Sequence, residues 1–151
     1  MQLKSLEDTK NFSKNISKII KSGDIIFLHG EIGVGKTTFV RFLINHIESK
    51  SRIKNSDILS PTFNIVYDYD VGNIKIIHYD LFRLKSYKDI SQLGIFETSQ
   101  ESIKIVEWPE LIKTKPKDRI DIFFEYSELV NSRKVRVVGF GKWKDYKFNE
   151  N

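Results

Sequence analysis

Gly30-Glu31-Ile32-Gly33-Val34-Gly35-Lys36-Thr37, followed by Thr38, matches the pattern G-x-x-x-x-G-K-[ST] at every position. The run before it, Ile25-Ile26-Phe27-Leu28-His29, is short and apolar and reads as a buried strand. After it, Phe39, Phe42, Leu43, His46 and Ile47 recur at helical spacing. Strand, glycine-rich loop and helix is the setting in which this pattern binds phosphate. Glycines let the backbone curl until several N–H groups face one anion. A helix beginning near Thr37 adds unsatisfied N–H groups and the positive end of its dipole. Lys36 brings a mobile charge for the outer phosphates, and the Thr37 hydroxyl is a ligand for Mg²⁺. Glu31, Ile32, Gly33, Val34, Gly35, Lys36, Thr37 and Thr38 are therefore the expected contacts of a nucleoside triphosphate.

The flanking chain predicts the elements that carry this loop. Ser5 to Lys21 reads as an amphipathic helix with Ser5 as its cap, Phe12, Ile16, Ile19 and Ile20 on one face and lysines on the other. Gly23 suits the left-handed residue that ends it. Glu48 to Asn55 is polar and reads as a surface loop. Two strand-like runs follow, Asn64–Tyr69 and Ile74–Tyr79, joined tightly through Val71-Gly72-Asn73 as an antiparallel hairpin. A standard doubly wound sheet would place a further crossover there. Tyr87 to Leu93 predicts a short helix stopped by Gly94, and Ser102 to Val106 a buried strand. Ile120–Tyr126 and Lys134–Phe140 form another hairpin pattern, and the tail from Lys142 alternates in the manner of a short edge strand. The expectation is an α/β phosphate-loop NTPase fold with a mixed central sheet and helices on its faces.

Bulk composition bounds the remaining choices. The chain has 151 residues, 40% hydrophobic and 30% charged, with no repeat or linker, which predicts one domain over residues 1–151. No apolar run is long enough to span a bilayer, and the first residues are mostly polar, so neither a membrane span nor a secretory leader is expected. Cysteine is absent, which excludes disulfides and thiolate metal sites and makes the cytoplasm the expected location. The net charge of +5 suits an anionic partner, but the lysines are scattered along the chain and read as solvated faces.

A phosphate loop needs an acid at the end of a neighbouring strand to help hold Mg²⁺. Asp80 follows Ile76-Ile77-His78-Tyr79, and Glu107 follows Ile103-Lys104-Ile105-Val106. Both fit, and the residue pattern alone leaves the choice open. Trp108 beside Glu107, with Pro109 stopping the strand, belongs either to the core or to a surface presented to a partner. His78 has no second histidine or cysteine nearby, which speaks against zinc. A small-molecule kinase is the alternative activity; against it, the arginines are few and no insertion reads as a lid. No N-K-x-D segment is present to read guanine.

These motifs together resemble one family. Gly30 to Thr38, Ser60-Pro61-Thr62-Phe63, His78-Tyr79-Asp80-Leu81-Phe82-Arg83-Leu84, Leu93-Gly94-Ile95 and Val106-Glu107-Trp108-Pro109-Glu110 resemble the TsaE family of bacterial ATPases in order and spacing, from about Thr9 to Tyr126. The phosphate loop is generic; the S-P-T, H-x-D-x-(Y/F)-R and E-W-P elements together are specific. The resemblance implies ATP as substrate, Mg²⁺ as cofactor, and a part in making N6-threonylcarbamoyladenosine (t6A) in tRNAs that read ANN codons. It implies work with the TsaB–TsaD pair, and contact with tRNA only through that complex. It further implies that Thr37 and Glu107 hold Mg²⁺, that Asp80 lies near the γ-phosphate and serves hydrolysis with Lys36, and that Thr9 lies near the base. Thr62 would fall in a switch-like segment. Phe82 departs from the pattern, tyrosine being commoner there.

Overall fold

The computed structural model describes residues 1–59, 64–97 and 101–148. Seven strands form one mixed sheet: β1 (Gln2–Leu3), β2 (Ile25–His29), β3 (Val66–Val71), β4 (Ile74–Asp80), β5 (Ser102–Glu107), β6 (Arg119–Tyr126) and β7 (Arg133–Phe140). Their order is β1-β7-β6-β2-β5-β4-β3. The four central strands, β6, β2, β5 and β4, run parallel, while β3 and β7 join antiparallel through hairpins and β1 pairs antiparallel to β7. The hairpin after the first βα unit is therefore present, as β3–β4.

Side-chain alternation assigns the two faces of the sheet. On one side Ile26 and Leu28 of β2, Ile76 of β4, and Ile103 and Ile105 of β5 pack with α1 (Leu6–Ile19) and α2 (Lys36–Lys50) through Phe12, Ile16, Phe39, Leu43, Ile44 and Ile47. On the other side Phe27, Ile77, Tyr79 and Val106 meet Ile90 of the short α3 (Tyr87–Gln92). Each helix start carries a local reason. The Ser5 hydroxyl accepts from the Asp8 amide at 3.1 Å, and Ser86 and Asp89 form a reciprocal capping box. The start of α2 is different: Gly35 at φ 116° is its cap, with no side chain bonded to the helix end. Those amides are left for a ligand.

Three expectations are corrected. The polar stretch from Glu48 is not loop throughout: α2 runs to Lys50, and Glu48 is buried with its carboxylate accepting from the Ser56 amide at 3.0 Å. That contact pulls a polar segment onto the core. Among the described residues the tail adds no strand either. After a 3-10 turn at Gly141–Trp143, the rings of Trp143, Tyr146 and Phe148 pack on one another and against the core on the α1/α2 side. Its alternation of aromatic and charged residues serves a ring cluster. Strand β3 also begins later than the pattern predicts, at Val66, because Ile65 takes a left-handed conformation (φ 65°).

Candidate functional site

The loop between β2 and α2 depends on its glycines. A Cβ on Gly30 (φ 135°) would lie 2.3 Å from the Phe124 carbonyl oxygen, so no other residue fits against β6 there. From this bend the chain passes under Lys36. Its ammonium donates to the Gly30 and Glu31 carbonyls at 2.6 and 2.9 Å and sits 4.0 Å from the centre of the Trp108 ring. Burial lowers the Lys36 pKa from its ordinary value, against the opposing pull of the Glu107, Asp80 and Glu110 carboxylates.

The parallel register of β4 and β5 places Asp80 directly opposite Glu107, both nearly fully buried. Alternation turns both toward the α2 face. Glu107 lies against the helix start, where the Thr37 hydroxyl is 3.0 and 3.2 Å from its two carboxylate oxygens. Its Oε1 is also 2.9 Å from Nε2 of the fully buried His78. Asp80 faces a different donor, the Phe82 amide at 3.0 Å. The chain then bends at Trp108, a left-handed residue (φ 59°) whose amide bonds the Leu28 carbonyl. This bend carries the half-buried indole over Lys36 and against Phe82, ring centres 4.8 Å apart.

A cavity of about 250 Å³ lies at this point, lined by Ile32, Gly33, Gly35, Lys36, Thr37, Thr38, Asp80, Phe82, Glu107 and Trp108. A second, of about 140 Å³, shares Gly33, Gly35 and Thr38 with it and continues to Leu3, Ser5, Leu6, Thr9, Val34, Phe124, Asn131 and Arg133. The expected site residues are thus divided between two chambers joined at the loop. Lys36, Thr37, Asp80, Glu107 and Trp108 share the first, and Thr9 lies in the second. Glu31 is exposed and enters through its carbonyl alone, while Thr62 lies outside the described residues.

Several neighbours of the loop were not singled out from sequence. The Tyr126 hydroxyl donates to the Ile32 carbonyl at 2.8 Å, and Arg133 Nε donates to the Val34 carbonyl at 2.9 Å. The two are a registered pair across β6–β7, with the guanidinium 4.8 Å from the ring centre. Arg41 and Arg83, the arginines nearest the motifs in sequence, line neither cavity; Arg133 lines the second. His78, weighed from sequence only as a zinc ligand, meets Glu107 because strand alternation puts it on the same face as Asp80. Arg133 and Tyr126 had no such signal, because their meeting at the loop depends on hairpin register.

Among the described residues no group of three or more histidine, aspartate or glutamate side chains is placed to hold a metal. The Thr37 hydroxyl and Glu107 carboxylate are hard oxygen donors side by side. Such a pair fits a Mg²⁺ that takes its other ligands from phosphate oxygens and water.

A glycine loop at the end of a central parallel strand, an uncapped helix behind it and a hydroxyl–carboxylate pair at its mouth define a P-loop nucleotide-binding protein of the α/β class. The profile of the family described as "Threonylcarbamoyl adenosine biosynthesis protein TsaE" matches residues 3–135, and the chain belongs to that family. It is 41% identical over 111 residues to the tRNA threonylcarbamoyladenosine biosynthesis protein TsaE of Rickettsia typhi, covering 74% of each chain. To that of Aquifex aeolicus it is 37% identical over 136 residues, covering 89% of this chain and 92% of the other. Among solved structures, "Crystal structure of Bacillus subtilus YdiB" matches with a TM-score of 0.73 and 24% identity, over 94% of this chain and 85% of that one. At that identity the likeness speaks for the fold. Among the described residues no helix is long and apolar enough to cross a membrane.

Proposed function

We propose that this chain binds Mg-ATP and hydrolyses it in the service of t6A formation in tRNA, acting with the TsaB–TsaD pair. One observation carries the proposal: the Thr37 hydroxyl lies against both carboxylate oxygens of Glu107 at the mouth of a glycine loop, with Lys36 alongside. Family membership supplies the pathway, since the relatives in Rickettsia and Aquifex are named for threonylcarbamoyladenosine biosynthesis.

The chain's own groups divide the work. Loop amides and the open end of α2 receive the phosphates, and Lys36 exchanges its two carbonyl partners for the outer phosphate oxygens. Thr37 and Glu107 would hold a Mg²⁺, which would supply positive charge to offset that of the phosphates. Asp80, outside that pair but in the same cavity, is the acceptor for a proton of the attacking water. Trp108 and Phe82 close one wall. Thr9 in the second cavity faces the nucleoside. Thr62 would act in the switch segment.

Lys36→Ala tests the nucleotide arm. Calorimetric titration should show Mg-ATP affinity falling by about tenfold or more, an effect near that of one lost charge-assisted hydrogen bond. Unchanged affinity would reject this reading of the loop. The pathway arm is tested by replacing a bacterium's own family member with this chain and measuring t6A in digested tRNA by mass spectrometry. Restoration by the wild type and failure by Lys36→Ala are expected.

A further inference from the structure

His78 is fully buried at the end of β4, and its Nε2 lies 2.9 Å from Glu107 Oε1, the same oxygen that lies 3.0 Å from the Thr37 hydroxyl. The backbone accounts for the meeting. Asp80 stands opposite Glu107 and His78 opposite Ile105, so His78 and Glu107 are diagonal neighbours on one face of a parallel pair. The chemistry identifies the donor: an ionised carboxylate offers only lone pairs, so the imidazole supplies the proton from Nε2. The other ring nitrogen, Nδ1, is buried with no hydrogen-bond partner among the described residues. An apolar side chain at this position would bury no such nitrogen, and β4 already carries isoleucines at 76 and 77. What the imidazole adds to packing is one N–H aimed at one carboxylate.

We propose that His78 is a positioning residue: its Nε2–H holds the Glu107 carboxylate toward Thr37, in the orientation in which that pair takes a divalent cation. The inference rests on the reading above that Thr37 and Glu107 hold Mg²⁺. Glutamate has three side-chain torsions, and its registered neighbour is another acid, Asp80, whose Oδ1 is engaged by the Phe82 amide. Without the imidazole, Glu107 keeps only the Thr37 hydroxyl among the hydrogen-bond donors described around it, and like-charge repulsion from Asp80 favours other rotamers. Removing a group that orients a metal ligand typically weakens metal affinity by about 10–100-fold.

The test compares His78→Leu, His78→Gln and His78→Asn in the full chain. Gln can place an amide N–H near the Nε2 position, Asn is too short to do so, and Leu removes the donor. ATP binding is titrated by calorimetry in excess EDTA and then across a Mg²⁺ series, with melting temperature recorded. The expected result is a Mg²⁺ half-saturation raised about 10–100-fold in Leu and Asn and close to wild type in Gln, with EDTA affinities unchanged throughout. If Leu does not fold, Gln against Asn makes the same comparison. Equal Mg²⁺ half-saturation in all variants, or a Gln variant as impaired as Asn, would overturn the proposal while leaving the Mg²⁺ reading standing. A wild type whose ATP affinity ignores Mg²⁺ would overturn both.

Discussion

Asp80 and Glu107 are neighbours in register but answer to different donors: Glu107 to Thr37 and His78, Asp80 to the Phe82 amide. Under the proposed function, that difference predicts different tasks. Glu107→Ala should reduce the Mg²⁺-dependent part of ATP affinity. Asp80→Ala should leave affinity near wild type and slow hydrolysis by about 10²–10⁴, the range of a lost proton acceptor. Paired calorimetry and steady-state phosphate release check this, and the reverse pattern would exchange the roles. From the residue pattern alone the two acids were equivalent, both being "apolar strand, then acid". What separates them is the position of the α2 start relative to β5, a fact of packing to which no local pattern refers.

At the scale of elements, the phosphate loop is held from behind by the β6–β7 hairpin. Tyr126→Phe removes the hydrogen bond to the Ile32 carbonyl while keeping the ring, and should cost about 0.5–1.5 kcal/mol of stability, read by urea unfolding. His29 joins three elements: it ends β2 and lies 3.4 Å from Glu110, on the 3-10 turn Pro109–Leu111, and 3.4 Å from Asp121 of β6. Burial opposes its protonation, but hydrogen bonding and charge from Asp121 and Glu110 outweigh it and raise its pKa above 6.5. Glu110, disfavoured as an anion by burial, is nonetheless held below 4.5 by His29. The signs are opposite. The His29 contribution is complete below 6.5 and is lost as pH rises through its raised folded value; that of Glu110 is complete above 4.5 and is lost as pH falls through its lowered one. Both are therefore present between 4.5 and 6.5. Urea unfolding of His29→Gln should show a flatter profile than wild type on the alkaline side of that window.

The local periods of β2, α2 and the β3–β4 hairpin made these elements legible in sequence, since each buries one regular face. The buried Glu48 was not legible, because a glutamate's burial depends on an amide from a segment eight residues away. The tail's pattern misleads for a related reason. Alternating rings and charges satisfy a strand pattern equally well when the rings gather on one another.

For the molecule as a whole, the tail is a tertiary clamp. A Cβ at Gly139 would lie 2.0 Å from the Trp143 carbonyl oxygen, a backbone atom that cannot give way cheaply. Gly139→Ala should lower the melting temperature and expose the Trp143 cluster, and Trp143→Ala should cost about 3–5 kcal/mol. Both leave the nucleotide site, at a different part of the sheet, intact. Calorimetric affinity for Mg-ATP below the melting transition should stay at the wild-type value. Catalytically, no arginine lines the first cavity among the described residues, and Arg133 in the second is bound to the loop's own backbone. An arginine supplied by a partner can contribute about 10³–10⁵ in rate. The isolated chain should hydrolyse ATP slowly and accelerate when the TsaB–TsaD pair is added. Trp108→Ala should bind Mg-ATP but lose the accelerated part. Fast turnover alone, or full acceleration of the variant, would contradict that dependence.

The lysine of the phosphate loop has a consequence for how the protein lets go. The Lys36 ammonium sits on the Gly30 and Glu31 carbonyls and over the indole, so the loop's own groups partner that charge. A nucleotide must draw Lys36 away from three partners, and on departure it leaves behind a cation with somewhere to return. Measured affinity is then a difference between two sets of contacts, not the sum of one. Such a loop trades tightness for reversibility.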